Sequence, residues 1–171
     1  DRNNNGGVLQ QPVLILEKGE EDPRVGPDVS RGSGGPDGFG HRWTDSDEAG
    51  GPIFEWVEIS DIGNYISLSD DDYETVDLPF TFSFYGNDKT NIKISSNGYL
   101  SFGESPTAYS NQPLPSEGYG GYDKICVFWD DMAPHYGQGG VYYWSDSERF
   151  IVQYDNMPHY GSGGPYTYQA I

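Results

Sequence analysis

Between Val76 and Gly103 the chain reads VDLPFTFSFYGNDKTNIKISSNGYLSFG, and this stretch restricts the fold more than any other. Phe80, Phe82 and Phe84 alternate with Thr81 and Ser83, the period-2 pattern of a strand with one buried face. Gly86-Asn87-Asp88 breaks the run. Ile92 and Ile94 then share one face of a second strand, and Leu100 and Phe102 one face of a third. Asn97-Gly98 between them is the dipeptide of a type I′ hairpin turn, whose two central residues both need positive φ. Three short strands in so little chain predict an all-β protein.

The rest of the chain agrees. Ile53–Ile59 reads as a strand with room for a bulge. Ile125–Trp129 reads as another. Val141–Trp144 and Arg149–Tyr154 form a hairpin across Ser145–Glu148, and Tyr166–Ile171 begins one more strand. No segment carries a 3.6-residue period, so no helix is expected. Strands at this spacing predict an antiparallel β-sandwich. Residues 1–36 read as an extended N-terminal arm and Gly/Pro-rich linker, with Val13–Glu17 as a short apolar run inside it. The sandwich domain is expected over 37–171. It reads as incomplete at its C-terminal end, because the last strand has no closing partner.

Charge narrows the partners. The chain carries 27 acidic against 9 basic residues, a net charge of −18. That balance argues against nucleic acid and anionic membranes as partners, because phosphate binding needs a basic surface. No apolar run is long enough for a spanning helix, so no membrane insertion is expected. The single cysteine, Cys126, lies in an apolar run and reads as a small buried hydrophobe. No Asn-X-Ser/Thr acceptor occurs, so N-glycans of that type are not expected.

Two acidic turns bring oxygen ligands close together: Asp45, Asp47 and Glu48, and Asp70, Asp71 and Asp72. Ca²⁺ takes six to eight oxygens and accepts irregular loops, so both turns are candidate calcium sites; neither follows the EF-hand pattern. A solvated turn that serves solubility is the other reading. A repeat adds a second candidate. Pro134-His135-Tyr136-Gly137 is echoed by Pro158-His159-Tyr160-Gly161, each copy following an acid-bearing strand end. An up-down hairpin between them places both loops at one end of the sheet. Asp130, Asp131, His135, Tyr136, His159 and Tyr160 would gather there, with Asp155. Such a set serves as a plain loop, as a polysaccharide platform, or as a transition-metal site. Catalysis is disfavoured. No nucleophile elbow occurs, and the adjacent carboxylates would point to opposite faces of a strand instead of facing each other.

The runs GGPDGFGHRWTDSDEAGGPIFEW, DDDYETVDLPFTFSFYG, ISSNGYLSFG, VFWDDM and RFIVQYDNMPHYG with PYTYQ together resemble a β-sandwich module of large secreted bacterial proteins. That module is found beside subtilisin-like and other exported peptidases and in cell-surface adhesins, and it is distantly similar to the extracellular nidogen-like domain. The resemblance spans about Gly34 to Ile171. It implies an extracellular or cell-surface, non-catalytic, structural or adhesive module, and no catalytic residues carry over. In that family further strands follow the PYTYQ run. A complement would then come from a cleaved C-terminal piece or from a neighbouring copy, with residues 13–17 as the natural donor strand and an oligomer or fibre as the product. A carbohydrate-binding module and an accessory domain of an exported protease are the alternatives.

Overall fold

The computed structural model describes residues 14–20, 23, 32–115 and 121–171. Val13, the rest of the first twelve residues, most of 21–31 and 116–120 lie outside the described residues. Ten strands are present among them: β1 (Ser33–Gly34), β2 (Trp43–Thr44), β3 (Asn64–Ile66), β4 (Tyr73–Phe84), β5 (Asn87–Ser95), β6 (Tyr99–Ser101), β7 (Lys124–Cys126), β8 (Gly140–Ser145), β9 (Phe150–Met157) and β10 (Tyr166–Ala170). One 3₁₀ turn, Pro134–Tyr136, is the sole helical element described. The protein is all-β, as the alternation requires.

Two four-stranded antiparallel sheets make the sandwich, in the orders β4-β5-β6-β7 and β10-β9-β8-β3. Val76 and Leu78 of β4 and Ile92 and Ile94 of β5 face the core, and the β4–β5 register shifts beyond Asp77. Val76, Ile92, Ile94 and Leu100 from one sheet meet Ile66, Val141, Val152 and Tyr154 from the other, closed at one end by Met132 and Met157. Tyr154 ties the layers together: its hydroxyl donates to the Ser95 carbonyl at 3.0 Å, and its ring stacks on Tyr168. At the opposite end the sheets part around a cavity of about 580 Å³, lined by Leu78, Phe80, Phe102, Ile125, Phe150 and Ala170 among others.

The hairpins differ from expectation in an instructive way. The two-residue turn with positive φ at both central positions lies at Tyr85-Gly86 (φ 48° and 76°), where Phe84 pairs directly with Asn87. Tyr85 is held there by its neighbours. Its hydroxyl donates to Asp37, and its ring packs against Phe84, Phe39 and His41. At Asn97-Gly98 only the glycine has positive φ (74°). The register of Lys93 with Ser101 and Ile94 with Leu100 leaves Ser96, Asn97 and Gly98 as a three-residue loop. Asn97 is fully buried and its amide is engaged elsewhere, which is why the shorter turn does not form.

Two other strand readings are corrected. Ile53–Ile59 is not a strand, and Ile53 and Phe54 stand in solvent at 87% and 74% exposure. The end of that segment is gripped by side chains projecting from β9 and β10. Val57 N–H donates to Gln169 Oε1, Gln169 Nε2 donates to the Val57 carbonyl, and Ile59 N–H donates to Gln153 Oε1. Two glutamine amides thus do the work of a neighbouring backbone, a substitution that hydrophobic period does not reveal. The strand expected over Ile125–Trp129 stops at Cys126. Three short strands are not announced by alternation at all: β3, and the β1–β2 pair clipped by Asp45.

The loop after β6 lies over the outer face of its sheet. Ser95 Oγ donates to the Pro106 carbonyl, Ala108 N–H to the Tyr99 hydroxyl, and Trp129 Nε1 to the Ala108 carbonyl. Tyr99 and Ser101 are therefore buried although they face away from the core. The same loop supplies the seat for the N-terminal arm.

Candidate functional site

The arm returns to its own domain. Leu14 N–H donates to Gln112 Oε1 (3.2 Å) and Leu16 N–H to Ser110 Oγ (3.3 Å), while Ser110 Oγ and Gln112 Nε2 donate back to the Leu14 carbonyl. Leu16 is buried and Ile15 faces solvent, the alternation of an extended segment. A turn follows, closed by Glu20 N–H on the Glu17 carbonyl, with Gly19 at φ 77° as its third residue. That turn aims Lys18 into the protein.

Lys18 Nζ lies 3.0 Å from Asp70 Oδ1, 2.7 Å from Asp71 Oδ2 and 3.2 Å from Asp131 Oδ1. It also sits 4.8 Å from the ring centroid of Tyr109 and 4.6 Å from that of Tyr160. Gly19 N–H completes the contact by donating to Asp131 Oδ2 at 3.1 Å. Burial by itself pulls the ammonium's pKa down; the hydrogen bonds to Asp71, Asp70 and Asp131 outweigh it and hold the group above the ordinary lysine value. Lys18 is therefore fully charged in this clasp at neutral pH.

Asn97 explains why carboxylates so distant in sequence converge. Its Nδ2 donates to Asp71 Oδ1 (2.9 Å) and its Oδ1 accepts from Met132 N–H (3.1 Å), so one buried amide joins the turn before β4 to the turn after Trp129. Asp71 takes positive φ (50°) in that turn. Ligand atoms of Asp70, Asp71 and Asp131 all lie within 4.8 Å of one another.

The expected site residues divide accordingly. Asp70 and Asp71 join Asp131, which was expected in a different cluster. Asp72 is turned away and caps its own turn, accepting from Ser69 N–H and Oγ and from Tyr73 N–H. Asp45 accepts from Gly32, Asp47 and Glu48 N–H groups, so it organises the β1–β2 corner, and its acidic neighbours Asp47 and Glu48 are not brought to the clasp. The two His-Tyr loops do meet at one end. Met132 bridges to His159, Ala133 N–H donates to the Pro158 carbonyl, and Tyr136 and Tyr160 rings pack at 5.3 Å. His159 Nε2 lies 3.5 Å from Asp130 Oδ1, while His135 is exposed, its ring tilted against that of Tyr136. Asp155 does not join them; it accepts from Asn156 and Thr167. Sequence reasoning missed Lys18, Asn97 and Tyr109. The only available signal was a lysine placed directly after an apolar run in a chain poor in bases.

Half-burial pushes the Cys126 thiol up to about 11, with Lys124 pulling weakly the other way, so it is a poor nucleophile at neutral pH. No helix among the described residues is long and apolar enough to cross a membrane. What the fold and the clasp define is a β-sandwich module that seats an extended peptide segment. A family model described as NIDO related matches residues 53–170, and the chain belongs to that family. Nidogen-related modules are extracellular, in general non-catalytic, and bind other proteins. No curated protein and no solved structure matched the chain.

Proposed function

We propose that this chain is a structural, adhesive module of the extracellular space that joins protein chains by exchanging its N-terminal arm between copies. The observation that carries the reading is the seat of Leu14–Gly19. Every described hydrogen bond that fixes Leu14 and Leu16 goes to a side chain, not to a strand backbone, and Lys18 closes the contact as an ionic latch. A segment held in this way leaves the sandwich intact when it departs, so the same seat accepts the arm of a second copy at little cost to the fold. Twelve residues lie between Gly19 and Gly32, long enough to reach out to roughly 40 Å when extended. The arm competes with itself at an effective concentration on the order of mM, so exchange is favoured at high local protein density.

Light scattering on the full chain over a concentration series tests this. Wild type gains mass with concentration. Lys18→Glu, which places a fourth carboxylate in the clasp, stays at monomer mass throughout. Equal mass for both proteins at every concentration rules the reading out.

A further inference from the structure

We infer that the cavity between the two sheets is a binding site for an elongated aliphatic molecule, a single alkyl chain with an uncharged polar head. The inference rests neither on the docked arm nor on its exchange between copies.

The cavity has a sealed floor, braced walls and an open rim. Ile92, Leu100 and Val152 form the floor, each at most 4% exposed. Two aromatic walls are held from behind: Phe102 stacks on Phe82 at 5.5 Å between ring centroids, and Phe150 on Tyr143 at 5.8 Å. Phe82, Glu148, Arg149 and Ile171 stand exposed at the rim. The volume of about 580 Å³ falls within the roughly 300–1,000 Å³ of small-molecule sites. Apolar cavities of about 150 Å³ already take up small apolar molecules.

The lining selects the chemistry of the ligand. Every lining residue except Glu148, Arg149 and Gln169 is apolar. The Gln169 amide is spent on Val57 and Gln153, and the Arg149 guanidinium on Asp146 Oδ2 at 2.9 and 3.2 Å. Among the described residues, the buried side-chain polar atoms without a partner belong to Asp70 and Tyr168, and neither lines the cavity. Water therefore finds no waiting side-chain partner inside, whereas aliphatic groups supply the dispersion contacts that the lining lacks.

Shape and charge narrow the class further. The lining draws on all four strands of one sheet: Leu78 on β4, Ile92 on β5, Leu100 on β6 and Ile125 on β7. Neighbouring strands lie about 4.8 Å apart, so the cavity reaches roughly 14 Å across the sheet. An extended chain follows that length, and a compact ring leaves much of it unfilled. At the rim Asp146 answers Arg149, which leaves the Glu148 carboxylate to set the local charge on a chain of net charge −18. An anionic head is repelled there, and an uncharged one is not.

Calorimetric titration of 1-alkanols, from hexanol to decanol, into the full chain tests the site. Each added methylene is expected to tighten binding about fourfold. The methyl resonances of Ile92, Leu100 and Val152 move together as decanol saturates. Ala170→Phe fills the cavity from β10 and weakens decanol binding at least tenfold; should that variant fail to melt cooperatively, Val127→Phe is read instead. Sodium decanoate binds more weakly than decanol. Affinities that stay flat along the series overturn the inference, as do unmoved methyl resonances, a filled variant that binds decanol like wild type, or decanoate that binds as tightly as decanol.

Discussion

Replacing Gln153 with Met keeps the side chain's length and removes both of its polar atoms. Gln153 is fully buried on β9 and makes three hydrogen bonds: from Ile59 N–H at 3.0 Å, from Gln169 Nε2 at 3.2 Å, and to Glu58 Oε1 at 2.7 Å. Gln169 retains the Val57 carbonyl, and Glu58 is exposed and rehydrates, so both lose little. Ile59 is the costly partner. It is 0% exposed, and an orphaned buried N–H costs about 1–3 kcal/mol. A total loss of about 2–3 kcal/mol follows, or a fall of roughly 4–12 °C in Tm for a chain of this size.

Urea and thermal unfolding read that loss, and a carboxyl NMR titration reads its cause. The Gln153 bond is the largest of the contacts that hold Glu58 down to about 2, with Ser60 and Trp56 assisting. The variant's Glu58 therefore titrates closer to 4.5. The sign follows: a carboxylate depressed by folding stabilises above its ordinary value and loses that contribution as pH falls from 4.5 through about 2. The gap between wild type and variant narrows over that window. A loss below about 0.5 kcal/mol together with an unmoved Glu58 titration refutes the claim that the amide substitutes for a strand partner.

Two further expectations concern the scaffold. Gly98→Ala places a Cβ 2.1 Å from the Phe128 carbonyl oxygen and 2.7 Å from the Tyr168 hydroxyl at a φ of 74°, so it should cost about 3 kcal/mol or more; a variant within about 1 kcal/mol of wild type would show that the crossing of these loops yields easily. Cys126 should alkylate with iodoacetamide at pH 8 roughly a hundredfold more slowly in the folded protein than in urea, since its thiol titrates about two units above its ordinary value; equal rates would contradict its burial.

How much was legible in the sequence depended on whether the signal was local. Alternation at Ile92–Ile94 and at Leu100 identified inward positions, because a strand's side chains alternate whatever it pairs with, whereas Phe80, Phe82 and Phe84 lie outside the buried core: the β4–β5 register shifts between Asp77 and Phe82, and Phe82 is 37% exposed. The hairpin of β8 and β9 was legible for the same reason, and so was the meeting of the two His-Tyr loops that it forces. Ile53–Ile59 misled, since its apolar residues reach solvent while its backbone is satisfied by Gln153 and Gln169 from far along the chain. Asn97-Gly98 misled because a buried contact with Asp71 and Met132 outweighed the local turn preference, and Tyr85-Gly86 adopted the two-residue turn instead.

By itself, then, the sequence determined an antiparallel sandwich, the inward positions of its second and third central strands and the end at which its loops gather. These follow from periodicity and chain reversal, which act over a few residues. Tertiary structure decided the site. Asp70 and Asp71 are drawn to Asp131 only because Asn97 bridges two turns, and Lys18 enters only because Ser110 and Gln112 seat the arm beside them. Charge convergence of this kind depends on separations through space between groups up to 113 residues apart, and no local pattern encodes it.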